Sequence, residues 1–517
     1  MNLAHMLDPH PDAHVAIISR NRSTTYAELR DQIGRLRGGL TDLGVAEGDR
    51  VAIVCGNNRY FVISYLATIG VGAVAVPLNP SSPGPELQHE MAVVEPVAII
   101  IEPTVVPTWA EMSPTAVPSV EHVIVTEGER PDGARMLDDL LAAEPRPIVN
   151  VDGDTLAVMM FTSGTAGAPR AAMLSHRNLA SNIDQALTAR DHMTRDDIVY
   201  GVLPLFHIFG LNVLLGIGFT VGATLVLVQR FDPSTAVESI TSRGVTVVPG
   251  APPMWIAFAH FDELPADSFA SVRIALSGAS RLPPAIAMRC EERFGLRIAE
   301  GYGLTEASPV VTSSAGMEPR YGSVGHSVAG VEVRLIGDDG NDVVVGDTGE
   351  IWVHGLNVFQ GYYREPEATA RVLDADGWLH TGDLATVDDD GWLYLVDRSK
   401  DLIIVSGFNV YPAEVEDVLA NHPSVAEVGV IGVAHPHTGE AVKAFVVLTP
   451  DATLDEETLI EYAHGYLARY KCPTKIIFVD ELPHNVSGKL LRRHLGTLGD
   501  MLGDTMENAV VVADPAD

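Results

Sequence analysis

Three features of the 517-residue chain predict an α/β fold with a large first part and a smaller last one. Strand-like apolar runs alternate with helix-like segments from residue 25 onward, the pattern of helices and strands packed in layers. Two long uncharged runs, 60–78 and 201–229, carry glycines that divide each into a helix and a core strand. Lysine is absent before Lys400 and then occurs five times, at Lys400, Lys443, Lys471, Lys475 and Lys489, which marks a domain boundary near residue 400. The length suits about three domains of ~100–200 residues.

In chain order, residues 25–43 have helical spacing (Leu29, Ile33, Leu36, Leu40, Leu43) and stop at Gly44. A short strand is expected over 49–54. The first uncharged run predicts a helix over 60–69, broken by Gly70 and Gly72, then a strand over 73–77. The run approaches membrane-span length but reads as core. Strands are expected over 93–101, 120–126 and 156–161. A helix begins near Ser175, and further strands fall over 223–228, 245–249 and 272–279. The second uncharged run lacks a flanking basic cluster, so it too reads as buried rather than membrane-spanning. Segments 331–335, 349–353, 378–383 and 392–398 make a β-rich unit. After Lys400 come a helix over 412–419, strands over 425–433 and 441–448, a helix over 454–467 and a strand over 476–479. From Leu495 the acidic tail reads as loosely held.

Acidic residues number 68 against 34 lysines and arginines, a net charge of −34. Such a charge repels nucleic acids and anionic membranes, and an anionic small substrate would need a locally basic cleft. Cys55, Cys290 and Cys472 are odd in number and far apart, which argues against a disulfide framework or a zinc site and for a reducing compartment. The N-terminal residues show no basic-then-apolar signal pattern, so a cytoplasmic location is expected.

The stretch 159–176, MMFTSGTAGAPRAAMLSH, joins a buried strand to a loop of Thr162, Ser163, Gly164, Thr165, Ala166 and Gly167. Glycine removes the side-chain obstacle and hydroxyls supply donors, as a backbone approaching a phosphate requires. The loop does not match G-x-x-x-x-G-K-[ST]. The run 298–306, IAEGYGLTE, lacks the third glycine of a dinucleotide fingerprint. Its Tyr302 could lie against a base, and Thr305 and Glu306 offer oxygens suited to Mg²⁺. His207 sits in the most apolar part of the second uncharged run. Residues 482–489, LPHNVSGK, form a polar loop with one lysine.

FTSGTAGAPRAAMLSH, GYGLTE, HTGDLA, DRSKDLIIVSGFNVYPAEVE and LPHNVSGKLLR occur in that order, and together they resemble the adenylate-forming (AMP-binding) superfamily of acyl-CoA synthetases, adenylation domains and luciferases. GEIWVHGLNVFQGYYREPEAT resembles the acyl-CoA ligase, fatty-acid–CoA ligase branch. The match runs over about residues 25–493. The resemblance implies a large N-terminal domain of stacked α/β subdomains plus a β-rich subdomain (1–398), a small mobile α+β C-terminal domain (399–495) and an acidic tail (496–517). It implies an enzyme that makes an acyl-adenylate from a carboxylic acid and Mg·ATP, then passes the acyl group to coenzyme A. A homodimer is compatible with it.

By resemblance, Thr162, Ser163, Gly164 and Thr165 cradle the β- and γ-phosphates, with Arg170 in the loop's cationic position and Thr165 and Glu306 at the Mg²⁺. Gly278, Ala279, Glu300, Gly301 and Tyr302 line the adenine and acyl sites, and Thr305 touches the α-phosphate. Asp383 accepts from the ribose hydroxyls and Arg398 assists there. Lys489 bridges substrate carboxylate and α-phosphate. Lys400 is the hinge, Gly407 belongs to the segment that replaces Lys489 for the thiol step, and His207 is an aromatic gate. The chemistry needs these types: a carboxylate attacking a phosphate joins two anions, and Lys489, Mg²⁺ and the loop donors offset that repulsion.

Three positions depart from the family pattern: Ala166 for Thr, Arg170 for Lys and Ala171 for Gly. Arg170 keeps the charge, although its planar fork is not a lysine point charge. The acyl region (207–215, 255–258, 277–280) is apolar with small residues, which suits a fatty acid. A carrier-protein ligase would carry an extra insertion, and none is evident between Gly322 and Trp378. A nucleotide-binding relative without turnover finds support in the altered loop alone.

Overall fold

The computed structural model describes residues 1–20, 22–112, 114–162, 169–398, 401–405, 408–435, 438–450, 452–485 and 488–501. The chain forms two compact units: Met1–Ser280, Cys290–Arg334 and Trp352–Thr381 in the first, and Arg281–Arg289, Leu335–Ile351 and Gly382–Asp517 in the second. This division differs from the boundary at 398 drawn from composition and resemblance.

Two large sheets build the first unit. The seven-stranded sheet runs Arg135–Met136, His122–Val125, Ala98–Ile101, Arg50–Val54, Val74–Leu78, Leu156–Thr162, Arg170–Ser175. All its pairs are parallel except the last. The central strands read as unbroken apolar runs because both of their faces are covered. The nine-stranded sheet runs His326–Ser327, Val310–Ser313, Ile298–Gly303, Ile274–Ser277, Val247–Gly250, Ile198–Gly201, Thr224–Leu227, Val15–Ser19, Arg22–Thr25.

Helix Tyr26–Asp42 starts where the sequence places it. Thr25 accepts the Glu28 N–H and Glu28 returns to the Thr25 N–H, a capping box. The next helix, Arg59–Val71, runs past Gly70, which does not break it. A Cβ at Gly70 would stand 2.7 Å from Cδ of Arg37, so that glycine lets the arginine stem cross close by. Gly72, at φ +87, ends the helix in the left-handed region. The apolar run at 93–101 is also divided: Val93 and Val94 close the helix Gly84–Val94, and the strand is Ala98–Ile101. Pro96 between them cannot donate to a ladder.

Two elements take a form that the sequence does not predict. Residues Arg170–Ser175 form a strand rather than a connector to the helix His176–Ala186. The expected helix in the second uncharged run is a π-helix over Phe209–Ile217. Gly210 allows it, since a Cβ there would lie 2.1 Å from the Pro204 carbonyl oxygen.

The expected β-rich unit is a four-stranded sheet in the order Val331–Ile336, Gly349–Gly355, Leu379–Val387, Leu393–Arg398. In the second unit a five-stranded sheet runs Phe408–Val410, Ile403–Val405, Gly439–Leu448, Val425–His435, with Lys475–Phe478 parallel to Gly439–Leu448. Helices Pro412–Ala420 and Glu456–His464 bury Val415, Leu419, Leu459 and Ala463 in its core. The start of the tail is not loose. Helix Arg492–Met501 buries Leu495 with Phe445 and Leu482. Residues 502–517 lie outside the described residues.

Cys55, Cys290 and Cys472 are buried thiols. Among the described residues no helix is long and apolar enough to cross a membrane.

Candidate active site

Thr162 and Arg170 are opposite partners in the antiparallel register of Leu156–Thr162 with Arg170–Ser175. The phosphate-loop candidates therefore lie in the connection of a hairpin whose base these two residues close. Ser163, Gly164 and Thr165 lie outside the described residues. Ala171, one of the departures, packs its methyl into the core of the seven-stranded sheet. A further segment lies along the hairpin's return strand: Met173 N–H donates to Gly361 O at 2.9 Å, and Tyr363 N–H to Ala171 O at 2.8 Å. This segment carries Tyr362, part of the motif GEIWVHGLNVFQGYYREPEAT, to which the sequence alone assigns no role.

Arg170 is engaged by its neighbours. Its Nε donates to Glu365 Oε2 at 2.9 Å, and its guanidinium carbon lies 5.6 Å from the Tyr362 ring centroid. The Tyr362 hydroxyl donates to Glu306 Oε1 at 2.7 Å. Burial and the facing Glu306 carboxylate push the phenol pKa far up, so the group stays a donor at any working pH.

The turn holding Thr305 and Glu306, a 3₁₀ segment Thr305–Ala307, follows the strand Ile298–Gly303. It is pinned from two sides. Phe359 N–H donates to Glu306 O at 2.8 Å, and the buried Asn212 on the π-helix donates to Ser308 O at 2.6 Å. The glycines of GYG allow close backbone approach: a Cβ at Gly301 would stand 2.8 Å from Thr312 O, and one at Gly303 2.2 Å from Pro309 O. Tyr302 is buried, with its N–H on Thr312 Oγ1 at 3.2 Å. Glu300 is buried opposite Ser277 in the parallel register, and Gly278 and Ala279 follow Ser277 directly. Ala279 takes φ +71, a left-handed conformation that a residue with a Cβ adopts only where its surroundings impose it.

The expected acyl region gathers here as well. A Cβ at Gly278 would stand 3.0 Å from two carbons of the Phe209 ring. His207 Nδ1 accepts the Phe209 N–H at 3.2 Å, which leaves Nε2 as the proton-bearing nitrogen of the neutral ring. Trp255 Nε1 and Ser277 Oγ are buried without a hydrogen-bond partner among the described residues.

In the second unit, Asp383 and Arg398 are opposite partners of adjacent antiparallel strands. Lys489 is held by a tight turn: its N–H donates to Asn485 Oδ1 at 2.8 Å and its carbonyl accepts the Asn485 N–H at 2.9 Å. Gly488 takes φ +79 within that turn. His484, just before it, pairs with Glu427 at 2.7 Å. Lys400 and Gly407 lie outside the described residues.

The residues present fit Mg²⁺. Glu306 offers a half-buried carboxylate with one oxygen fixed by Tyr362. Among the described residues no group of three or more His, Cys, Asp or Glu could hold a metal ion. One or two carboxylates completed by substrate phosphates is the usual way a protein holds Mg²⁺.

A family model described as AMP-binding enzyme matches residues 4–363, and one described as AMP-binding enzyme C-terminal domain matches residues 414–489. A long-chain-fatty-acid–CoA ligase of Yersinia pestis is 36% identical over 514 residues, 93% of this chain and 91% of its own. A feruloyl-CoA synthase of an Amycolatopsis species is 38% identical over 488 residues, 94% and 95% of the two chains. The ATP-bound crystal structure of MatB from Rhodopseudomonas palustris superposes with a TM-score of 0.89 at 32% identity, covering 98% of this chain and 100% of that one. With its ordered motifs, its hairpin, its GYG strand and these matches along nearly its whole length, the chain belongs to the AMP-binding enzyme family.

Proposed function

We propose that the chain is an AMP-forming acid–thiol ligase, which activates a fatty or other apolar carboxylic acid with ATP and passes the acyl group to coenzyme A. The observation that carries this reading is the meeting, within one unit, of the hairpin's closing pair Thr162 and Arg170 with Glu306 through Tyr362. The activities named for the fatty-acid and feruloyl relatives support the same reaction class.

In this reading the loop 162–165 and Arg170 bind the terminal phosphates, and Tyr302, Gly301, Glu300, Gly278 and Ala279 hold the adenine and the acyl group. Thr305 donates toward the α-phosphate, while Thr165 and Glu306 would hold Mg²⁺. The cation, when bound, neutralises charge on the departing pyrophosphate. Asp383 accepts from the ribose with Arg398 beside it. Lys489 steadies the carboxylate as it attacks, a contribution worth ~3 kcal/mol for one preorganised donor. Lys400 is the hinge that withdraws Lys489 so that the Gly407 segment takes its place for the thiol step.

The apolar lining of 207–215 and 255–258 favours an alkyl chain, where each buried CH₂ is worth ~0.8 kcal/mol, about fourfold in affinity. A second reading, an aryl acid, is favoured by the Phe209 ring, which lies close enough to Gly278 to press a flat substrate. Pyrophosphate release across a panel of acids separates them. Rising activity along a saturated series supports the fatty reading, a preference for aryl propenoates the aryl one, and silence with every acid refutes both.

A further inference from the structure

We infer that Tyr362 is a positioning residue for Glu306, and that Arg170, besides its charge toward the phosphates, holds Tyr362 in place. The inference rests on the proposed role of Glu306 toward the divalent cation.

Glu306 is gripped twice by one short segment. Phe359 takes its backbone carbonyl at 2.8 Å, and Tyr362 takes one carboxylate oxygen at 2.7 Å. The segment is itself fixed. Tyr362 bridges Ala172 in antiparallel fashion, its N–H donates to Thr369 Oγ1 at 2.9 Å, and the Phe359 ring meets its ring edge-on at 5.0 Å. Gly361 makes this approach possible: at φ +115, a Cβ there would lie 2.6 Å from Thr369 Cγ2. The phenol is therefore a rigid arm reaching to the carboxylate from the segment paired with the hairpin's return strand.

Arg170 completes the arm. It bonds Glu365 at 2.9 Å while lying over the Tyr362 ring. A planar, delocalised guanidinium can pair with a carboxylate and stack on an aromatic face at once, and a lysine ammonium serves both roles less well. This gives a physical reason for arginine in place of lysine here. The hairpin that holds phosphate and the carboxylate that holds the cation are thus joined through a single side chain.

The test is calorimetric titration of the full chain with ATP, without acid, in excess Mg²⁺ and in EDTA. The ratio of the two dissociation constants is the gain due to the cation. Tyr362→Phe is expected to lower that gain about tenfold, the loss of one charge-assisted hydrogen bond, with binding in EDTA within about twofold of wild type. Glu306→Gln should remove most of the gain. If Glu306→Gln leaves the gain intact, the role of Glu306 falls and the inference with it. If Glu306→Gln abolishes the gain and Tyr362→Phe does not lower it, the role of Tyr362 alone is overturned. Should Tyr362→Phe fail to fold by circular dichroism, Arg170→Lys is expected to lower the gain in the same direction, and an unchanged gain overturns the inference.

Discussion

Gly303→Ala should slow adenylation far more than it destabilises the fold. Gly303 ends the strand that leads into Thr305 and Glu306, and a Cβ on it would lie 2.2 Å from the Pro309 carbonyl oxygen and 2.8 Å from the carbonyl carbon. Carbon–oxygen contacts settle near ~3.3 Å, so one side must yield by about 1 Å. The obstacle is backbone rather than a flexible side chain. Pro309 O accepts the Leu304 N–H at 3.2 Å, so the displacement falls on the turn between them. Overpacking of this kind costs ~1–3 kcal/mol, within the ~5–15 kcal/mol stability of a typical domain. A displacement of about 1 Å at a catalytic turn costs ~10²-fold in rate. The assay is acid-dependent pyrophosphate release alongside thermal unfolding. Gly244→Ala is the control: at φ +63 with nothing within 4 Å, it adds backbone strain of ~1–2 kcal/mol without meeting a neighbouring atom. Equal rates for the two variants would refute the reasoning.

Lys489→Ala should lose adenylate formation by ~10²–10³ yet still convert supplied acyl-AMP and coenzyme A to thioester, and equal loss of both half-reactions would contradict its role. Asp197 is buried and accepts from the Thr194 N–H at 2.6 Å, the Thr246 hydroxyl at 2.7 Å and Arg273 Nε at 2.8 Å. Burial pushes its pKa up, but Arg273 and these donors outweigh it and hold the group low. Its stabilisation is therefore present above the unfolded value near ~3.9 and is lost as pH falls through the lower folded value. Asp197→Asn should cost ~1–3 kcal/mol by urea unfolding at neutral pH and flatten the acid limb. His484 behaves oppositely: burial lowers its pKa, yet Glu427 at 2.7 Å raises it above the ordinary value overall. That stabilisation is complete below the unfolded value near ~6.5 and fades as pH rises through the higher folded value. With the intrinsic pH dependence divided out, exchange of the Asn485 and Lys489 amides should accelerate over that range, and His484→Gln should remove that remaining dependence.

Much of the fold was readable because its cues are local. The spacing of Leu29, Ile33, Leu36 and Leu40 announces a helix, and the short apolar runs over 49–54 and 73–77 announce strands. What could not be read depends on partners distant in sequence. Gly70 resembles a helix breaker until Arg37 is seen against it. Ala171 and Ala172 have weak strand preference and become a strand by pairing with Phe161 and Met160 on one side and the 361–363 segment on the other. The π-helix rests on backbone contact between Gly210 and Pro204. At the site, residue types and their order let Thr162, Glu306, Asp383 and Lys489 be named beforehand as expectations. Tyr362 could not, because the role inferred for it lies in a hydrogen bond spanning 56 positions of sequence. A tyrosine directly after a glycine within the ligase segment was the available signal.

Acid-dependent exchange of labelled pyrophosphate into ATP, measured without coenzyme A, tests the central claim most directly. It isolates the activation step in which the phosphate hairpin, Glu306 and Lys489 are assigned to act together. The expected result is exchange that requires both Mg²⁺ and an apolar carboxylic acid, and that yields a thioester once coenzyme A is added. Exchange absent with every fatty and aryl acid tried, in a folded protein that still binds ATP, would contradict it.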